Sequence, residues 1–472
     1  MIALPAWRQA LSGATALVLA TAAGAQRRPV DLLLTNARII DVVSGRITVG
    51  QSIAMRGDTI VALGGRGIGG GLRPARTVDA GGRYVLPALW DMHVHFGGGP
   101  ALIAENRALL PLYTAHGIVA VRDAAGDLSA SVLAWRDSVA RGLIDAPTIF
   151  TSGPKLEGLN SVWPGDIEID TRAGVDSALT LLQAMQVDFV KLTDNTLKPD
   201  LFRYALGAAA RRGMRTSAHI PAAVPVREAI ALGLSSIEHL SYAVRAGAER
   251  DGQPTPTDVI AAFDSATAMA TYRLMAARGT AITPTLNISR TLAWLDTETH
   301  AGDPYLRYIG PGIQATYQGR VTRAAQADSA AIVRRHRSYE FTSARLPMLQ
   351  AAGVLILAGT DAGFLNSFDY PGIGLHDELQ LMVKSGLTPL QAIRGATING
   401  ATFLKRSARH GSITRGKAAD LLILDRNPLE DITATRGILA LVQRGRYLDR
   451  AALDGMLEAT ADLVRRMPVP AP

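Results

Sequence analysis

Cysteine is absent from the 472 residues, which excludes disulfides, thiolate nucleophiles and thiolate metal ligands, so any metal must be held by nitrogen and oxygen. Lysine is nearly as scarce: of 49 basic residues only six are lysines, at 155, 191, 198, 384, 405 and 417. Aromatics are sparse as well, and no basic run is interleaved with them. The formal charge of +8 therefore describes a solvated, arginine-rich surface rather than a nucleic-acid partner. Apolar runs of membrane-spanning length are missing after the first 25 residues. That opening stretch has Arg8, the short apolar "LSGATALVLATAA" and the small-residue "AGA" before Gln26. It predicts an export signal over 1–25, a periplasmic destination and no stable membrane span after cleavage, an uncleaved anchor being the alternative.

Because lysine is rare, "VDFVKLTD" (187–194) stands out: Lys191 sits among Val187, Phe189, Val190 and Leu192 in what reads as a buried strand. An isolated buried ammonium is costly, so such a lysine snorkels, pairs with an acid or gives up its proton.

The chain begins and ends in β character. From Asp31 to Val78 come short β runs and the glycine-rich "GGRGIGGG", which lacks the Lys-Ser/Thr ending of a phosphate loop and reads as a flexible hairpin connection. Beyond Gly411, "GSITRGKAADLLILDRNPL" and "LALVQRGRYL" return to β. Between them, eight apolar runs alternate with helical segments: "YVLPALWDMHVHF", "GIVAVRDA", "PTIFTSG", "VDFVKLTD", "MRTSAHI", "SSIEHL", "TAITPTL" and "VLILAGTDA". This α/β pattern predicts a parallel (β/α)8 barrel, TIM-like, over 85–406. A small β-sandwich is expected from both chain ends (26–84 and 407–472, with a tail), residues 287–345 should form a lid or side wall, and 375–406 closing helices.

In "DMHVH", His93 and His95 are two apart on a strand and share one face. His219 ends the fifth run, His239 the sixth and Asp361 the eighth, while Lys191 lies late in the fourth. The carboxyl ends of barrel strands converge on one rim, where active sites lie.

With "LPALWDMHVH", "DFVKLTD", "SAHI", "IEHL", "AGTDAG" and "LTPLQAIRGATINGA", the chain resembles the amidohydrolase superfamily, in the group of imidazolonepropionase-like enzymes and metal-dependent Xaa-Pro dipeptidases. The resemblance implies two divalent ions, zinc the expected pair. One would be held by His93, His95 and Asp361 and the other by His219 and His239, with Lys191 bridging both as a carbamate made from carbon dioxide. It further implies that a bridging hydroxide attacks the scissile carbonyl, with Asp361 moving the proton. The chemistry agrees: a desolvated neutral lysine can add carbon dioxide, and the product carboxylate suits hard or borderline cations.

The expected substrate is a small molecule with an amide or peptide-like C–N bond, a dipeptide or an N-acyl amino acid. A lactone or other ester is the alternative, and a non-catalytic binding barrel the outside one. The bridging lysine sets the chain apart from one-metal imidazolonepropionases and deaminases. Tyr242 is a candidate to orient substrate. His116 and His376 read as structural, Arg122 and Asp123 as an ion pair or a substrate contact, and His300 and His336 are unassigned. Ser152 and Lys155 have the Ser-x-x-Lys spacing of serine acyl-transfer enzymes, but Gly153 and Pro154 suit no helix start. Homo-oligomerisation is left open.

Overall fold

Alternating apolar side chains organise the first described strands, β1 (Arg28–Ile40), β2 (Ile47–Arg56), β3 (Thr59–Gly65), β4 (Leu72–Asp79) and β5 (Tyr84–Pro87). The computed structural model describes residue 1 and residues 27–124, 126–250 and 255–469. Apart from Met1, the expected export segment over 1–25 lies outside the described residues. The glycine run is a 3-10 turn over Arg66–Gly71, and it is not a hairpin: β3 pairs with β2, whereas β4 runs parallel to β1.

The middle of the chain supplies two parallel sheets. One contains β6 (Leu89–His95), β7 (Ile118–Asp123) and β8 (Thr148–Thr151). The other contains β9 (Leu156–Glu157), β10 (Ile167–Glu168), β11 (Val190–Leu192), β12 (Thr216–Ala218), β13 (Ser236–Glu238) and β14 (Ala281–Thr283). A short β15 (Ala362–Gly363) joins the first sheet beside β6.

Hydrogen bonds link the sheets on both flanks. Asp188 N donates to Thr151 O at 2.9 Å, next to β8. On the far side the eighth apolar run lies between β14 and β6: Leu357 N donates to Ile282 O at 2.8 Å, and Met92 N to Ala358 O at 2.9 Å. The arrangement is an α/β fold whose parallel sheets are consistent with a TIM-like barrel. Much of the eighth run forms no regular strand, because the chain is pinned side-on: Thr360 N and Oγ1 donate to the buried Asp91 carboxylate at 3.0 and 2.8 Å. Gly359 is required beside it, since a Cβ there would meet His93 N at 2.7 Å.

Helices Leu286–Trp294, Pro311–Ala325 and Ser329–Ser343 occupy the expected insertion, and Ile373–Lys384, Pro389–Gly395 and Ile398–Phe403 follow. The chain then returns to the first sheet with β16 (Leu421–Leu424), β17 (Ile438–Gln443) and β18 (Arg446–Asp449), in the order β18-β17-β16-β5-β1-β2-β3. Both chain ends thus build one eight-stranded sheet. Its period-two alternation serves two cores: Leu421 and Ile423 pack with Leu34, Ile53 and Val442, while Leu422 and Leu424 join the main core. After β18 the chain turns helical: Asp449 accepts from Ala452 N at 2.9 Å and caps a helix over Arg450–Val464, which packs on Leu110–Ala115.

Candidate metal centre

β6 carries His93 and His95 on one face, and their Nε2 atoms lie 3.2 Å apart. Asp361, just before β15, reaches both: its Oδ1 is 3.2 Å from His93 Nε2 and 2.7 Å from His95 Nε2. These three residues form a cluster able to hold a cation. His219 follows β12 and His239 follows β13, and their Nε2 atoms are 2.9 Å apart. The two pairs adjoin, the His93 and His239 ring centroids being 5.1 Å apart. His239 and Asp361 both have positive φ, 68° and 75°. Non-glycine residues avoid that region, so the surrounding fold holds these two side chains in place at a cost in backbone strain.

Lys191, on β11, is 1% exposed, and its Nζ has no hydrogen-bond partner among the described residues. Burial pushes the amine down to about 8, against the pull of Glu238 and Asp361. Snorkelling and pairing are therefore both ruled out by the geometry. Asp361 Oδ1 likewise has no hydrogen bond although two imidazole nitrogens touch it.

The structure adds residues that sequence reasoning missed. Glu238, fully buried on β13, accepts from His93 Nδ1 at 2.8 Å, Arg122 at 2.7 Å, and the Ser217 and Ser236 hydroxyls, each at 2.6 Å. Burial opposes its charge, but Arg122 and His93 outweigh it and hold the carboxyl well below the usual range. An ionised Glu238 can only accept, so His93 Nδ1 carries a proton and Nε2 faces His95 and Asp361; burial opposes a charge on His93, but Asp361 and Glu238 outweigh it and raise the imidazole above the ordinary histidine value. Thr285, another positive-φ residue, sits 2.7 Å from His239 Nδ1. Burial keeps His95, His219 and His239 below the ordinary histidine value, as neutral donors require. Converging imidazole nitrogens, an orphaned amine and an orphaned carboxylate oxygen make a donor set that fits divalent cations.

Tyr242 stacks on His219 with 5.3 Å between centroids and donates to both oxygens of Asp194, at 3.0 and 2.9 Å. Contact between its hydroxyl and a substrate requires that bond to be exchanged. Arg122 is buried on Glu238 and the Met92 carbonyl, hence structural. Asp123 accepts from Phe96 N and Thr151 Oγ1. His116 and His376 are buried and joined, His376 Nε2 lying 3.0 Å from the His116 carbonyl. His300 meets Asp303 and His336 meets Asp296. Ser152 starts no helix, its hydroxyl donates to the Gly153 carbonyl, and Lys155 is bound to Asp127, so the serine acyl-transfer arrangement is not formed.

Comparison with known proteins agrees with this geometry. The amidohydrolase family matches residues 84–446. Ochratoxinase of Aspergillus niger is 23% identical over 86% of this chain and 85% of its own. The solved structure of a Xaa-Pro dipeptidase superimposes with a TM-score of 0.65 at 21% identity, covering 89% of this chain and 99% of that one. Bottromycin amidohydrolase superimposes with a TM-score of 0.71 at 20% identity, covering 92% and 90%. The chain belongs to the amidohydrolase family, and the reading of a metal-dependent amidohydrolase holds.

Proposed function

We propose that this member of the amidohydrolase family is an exported, periplasmic hydrolase with two divalent ions, zinc the expected pair, cleaving the C–N bond of a dipeptide or N-acyl amino acid. Its parallel strands would close as a (β/α)8 barrel beside a small β-sandwich drawn from 26–84 and 407–472. The observation that carries the reading is Lys191 Nζ, buried and without a hydrogen bond among the described residues, within electrostatic reach of Asp361, His219 and His239. His93, His95 and Asp361 would hold one ion, His219 and His239 the other, and Lys191 both, after its neutral amine adds carbon dioxide and releases a proton. The ions would supply Lewis acidity toward the substrate carbonyl and an acidified nucleophile.

The chain's own groups do the rest. Glu238 holds His93 through its Nδ1 proton and aims Nε2 at the site, and the Thr285 hydroxyl, 2.7 Å from Nδ1, orients the His239 ring. The Asp361 carboxylate takes a proton from the attacking water and delivers it to the leaving amine. Tyr242, exchanging its bond to Asp194, would orient the substrate. No described helix is long and apolar enough to cross a membrane. The relatives' names, a dipeptidase and an amidohydrolase among them, support a C–N bond over an ester. The test is a screen of dipeptides, N-acyl amino acids and lactones against zinc-loaded protein. Turnover of the first two classes is expected, and a lactone-only profile would overturn the assignment.

A further inference from the structure

The insertion contributes a charge that the site described above does not use. Helix Pro311–Ala325 is held by its first turn, where Gly312 N and Ile313 N donate to the buried Glu105 carboxylate at 2.9 and 2.7 Å. One turn on, Thr316 Oγ1 accepts from Leu365 N at 2.7 Å, and the Tyr317 carbonyl accepts from Ser367 Oγ at 3.1 Å. Leu365 and Ser367 belong to the loop that follows Asp361, and Asn366 between them donates to the Asp361 carbonyl. The helix is therefore docked on the segment that carries a metal-ligand candidate.

Arg320 is four residues after Thr316 and three after Tyr317, on the same helix face. It is half-buried, and among the described residues it has no hydrogen bond, ion pair or ring contact. Burial pushes the guanidinium down, and the acid that pulls it back is Asp361. A half-buried guanidinium near the metal site, without a carboxylate of its own, is poised for one that arrives from outside. It also lines a cleft of about 270 Å³, where Leu292 and Leu295 give an apolar wall, Arg323 a second positive charge and Arg335, paired with Asp296, a third.

We infer that Arg320 anchors the free carboxylate of the substrate's leaving half, with the side chain of that half lying against Leu292 and Leu295. The assignment rests on the hydrolase reading for the bond that is cut, and it narrows the substrate class to acylated or peptidic amino acids with a free, apolar C-terminal residue. A carboxylate one carbon from the scissile nitrogen would be fixed by the guanidinium fork while the carbonyl faces the histidines. Neutral lactones would gain nothing from it.

The test is calorimetric binding to the zinc-loaded protein. The ligand is the ketone isostere of N-acetyl-L-leucine, with methylene in place of the amide NH, compared with its primary carboxamide. A guanidinium–carboxylate pair predicts that the acid binds about tenfold to a hundredfold tighter than the carboxamide, and that Arg320→Met abolishes the difference while leaving carboxamide binding unchanged. Arg320→Lys should retain part of the preference, since it keeps the charge and loses the fork. Equal binding of the two ligands by the unaltered protein, or a preference that survives in Arg320→Met, overturns the assignment. Turnover of N-acetyl-L-leucine, measured alongside, separates the two readings. Turnover without a carboxylate preference sinks the Arg320 role alone. A preference without turnover of any acyl amino acid sinks the hydrolase reading and leaves the anchor standing.

Discussion

Two of the six lysines are buried, and they live in opposite surroundings. Lys155, on the loop after β8, is met by Asp127 at 2.6 Å and Asp166 at 3.3 Å, with the Trp163 ring 5.3 Å away. Two carboxylates for one ammonium are more than it needs, and burial, outweighing Lys155, raises Asp166 to about 6. Lys191, on β11, has no hydrogen-bonding partner among the described residues and is pushed down to about 8 by burial. Residue type and burial are shared, so partner supply is what separates a structural lysine from a chemical one. A paired lysine ties loops together, whereas an orphaned amine beside strand-end ligand candidates is free to be modified or to bind, as proposed above.

Several changes would break or sharpen that contrast. The largest expected effect lies at the rim: Asp361→Asn should keep the fold by circular dichroism and lower kcat by on the order of a hundredfold to ten-thousandfold. Near-normal turnover would remove Asp361 from the proton path. Next comes stability in the metal-free protein, followed by urea unfolding. Lys155→Met leaves two buried carboxylates unpaired and should cost about 3–5 kcal/mol, whereas Lys191→Met removes an orphaned amine and should be neutral or stabilising. Equal losses in both would erase the distinction. Glu238→Gln strips Arg122 of its buried counter-charge, and a similar loss of about 3–5 kcal/mol is expected, together with weaker metal binding.

The smallest effect is in acid. Burial holds His116 down to about 4 and His376 to about 3, so both are neutral in the fold. The unfolded chain binds protons at these positions below about 6.5, so stability should fall as pH drops through that value and keep falling toward the folded values. In the metal-free protein His376→Gln should flatten the slope of melting temperature against pH between about 6.5 and 4, and an unchanged slope would assign acid sensitivity elsewhere.

Much of the site was legible because strand-end residues are fixed by short apolar runs: His93, His95, His219, His239 and Asp361 fall where the runs end, and the structure brings them together. The sheet shared by both chain ends was legible from the short β runs at each end. Glu238 was not, because its partners are set by register: Glu238 and His93 are 145 residues apart and meet only after β13 and β6 are placed. A signal was nonetheless present, since Arg122 and Glu238, like Lys191, are charges inside short apolar strands. The glycine run misled because composition gives a turn but not which strands it joins. The tail was left without an assigned element, because its helix packs on Leu110–Ala115, a contact no local window contains.

The claim that Lys191 is the bridging element is tested most directly by metal content. Plasma mass spectrometry on the purified, zinc-loaded protein should find two divalent ions per chain, falling below one in Lys191→Ala and partly restored, with activity, by added short carboxylates. A Lys191→Ala protein that keeps two ions and full activity would contradict the account.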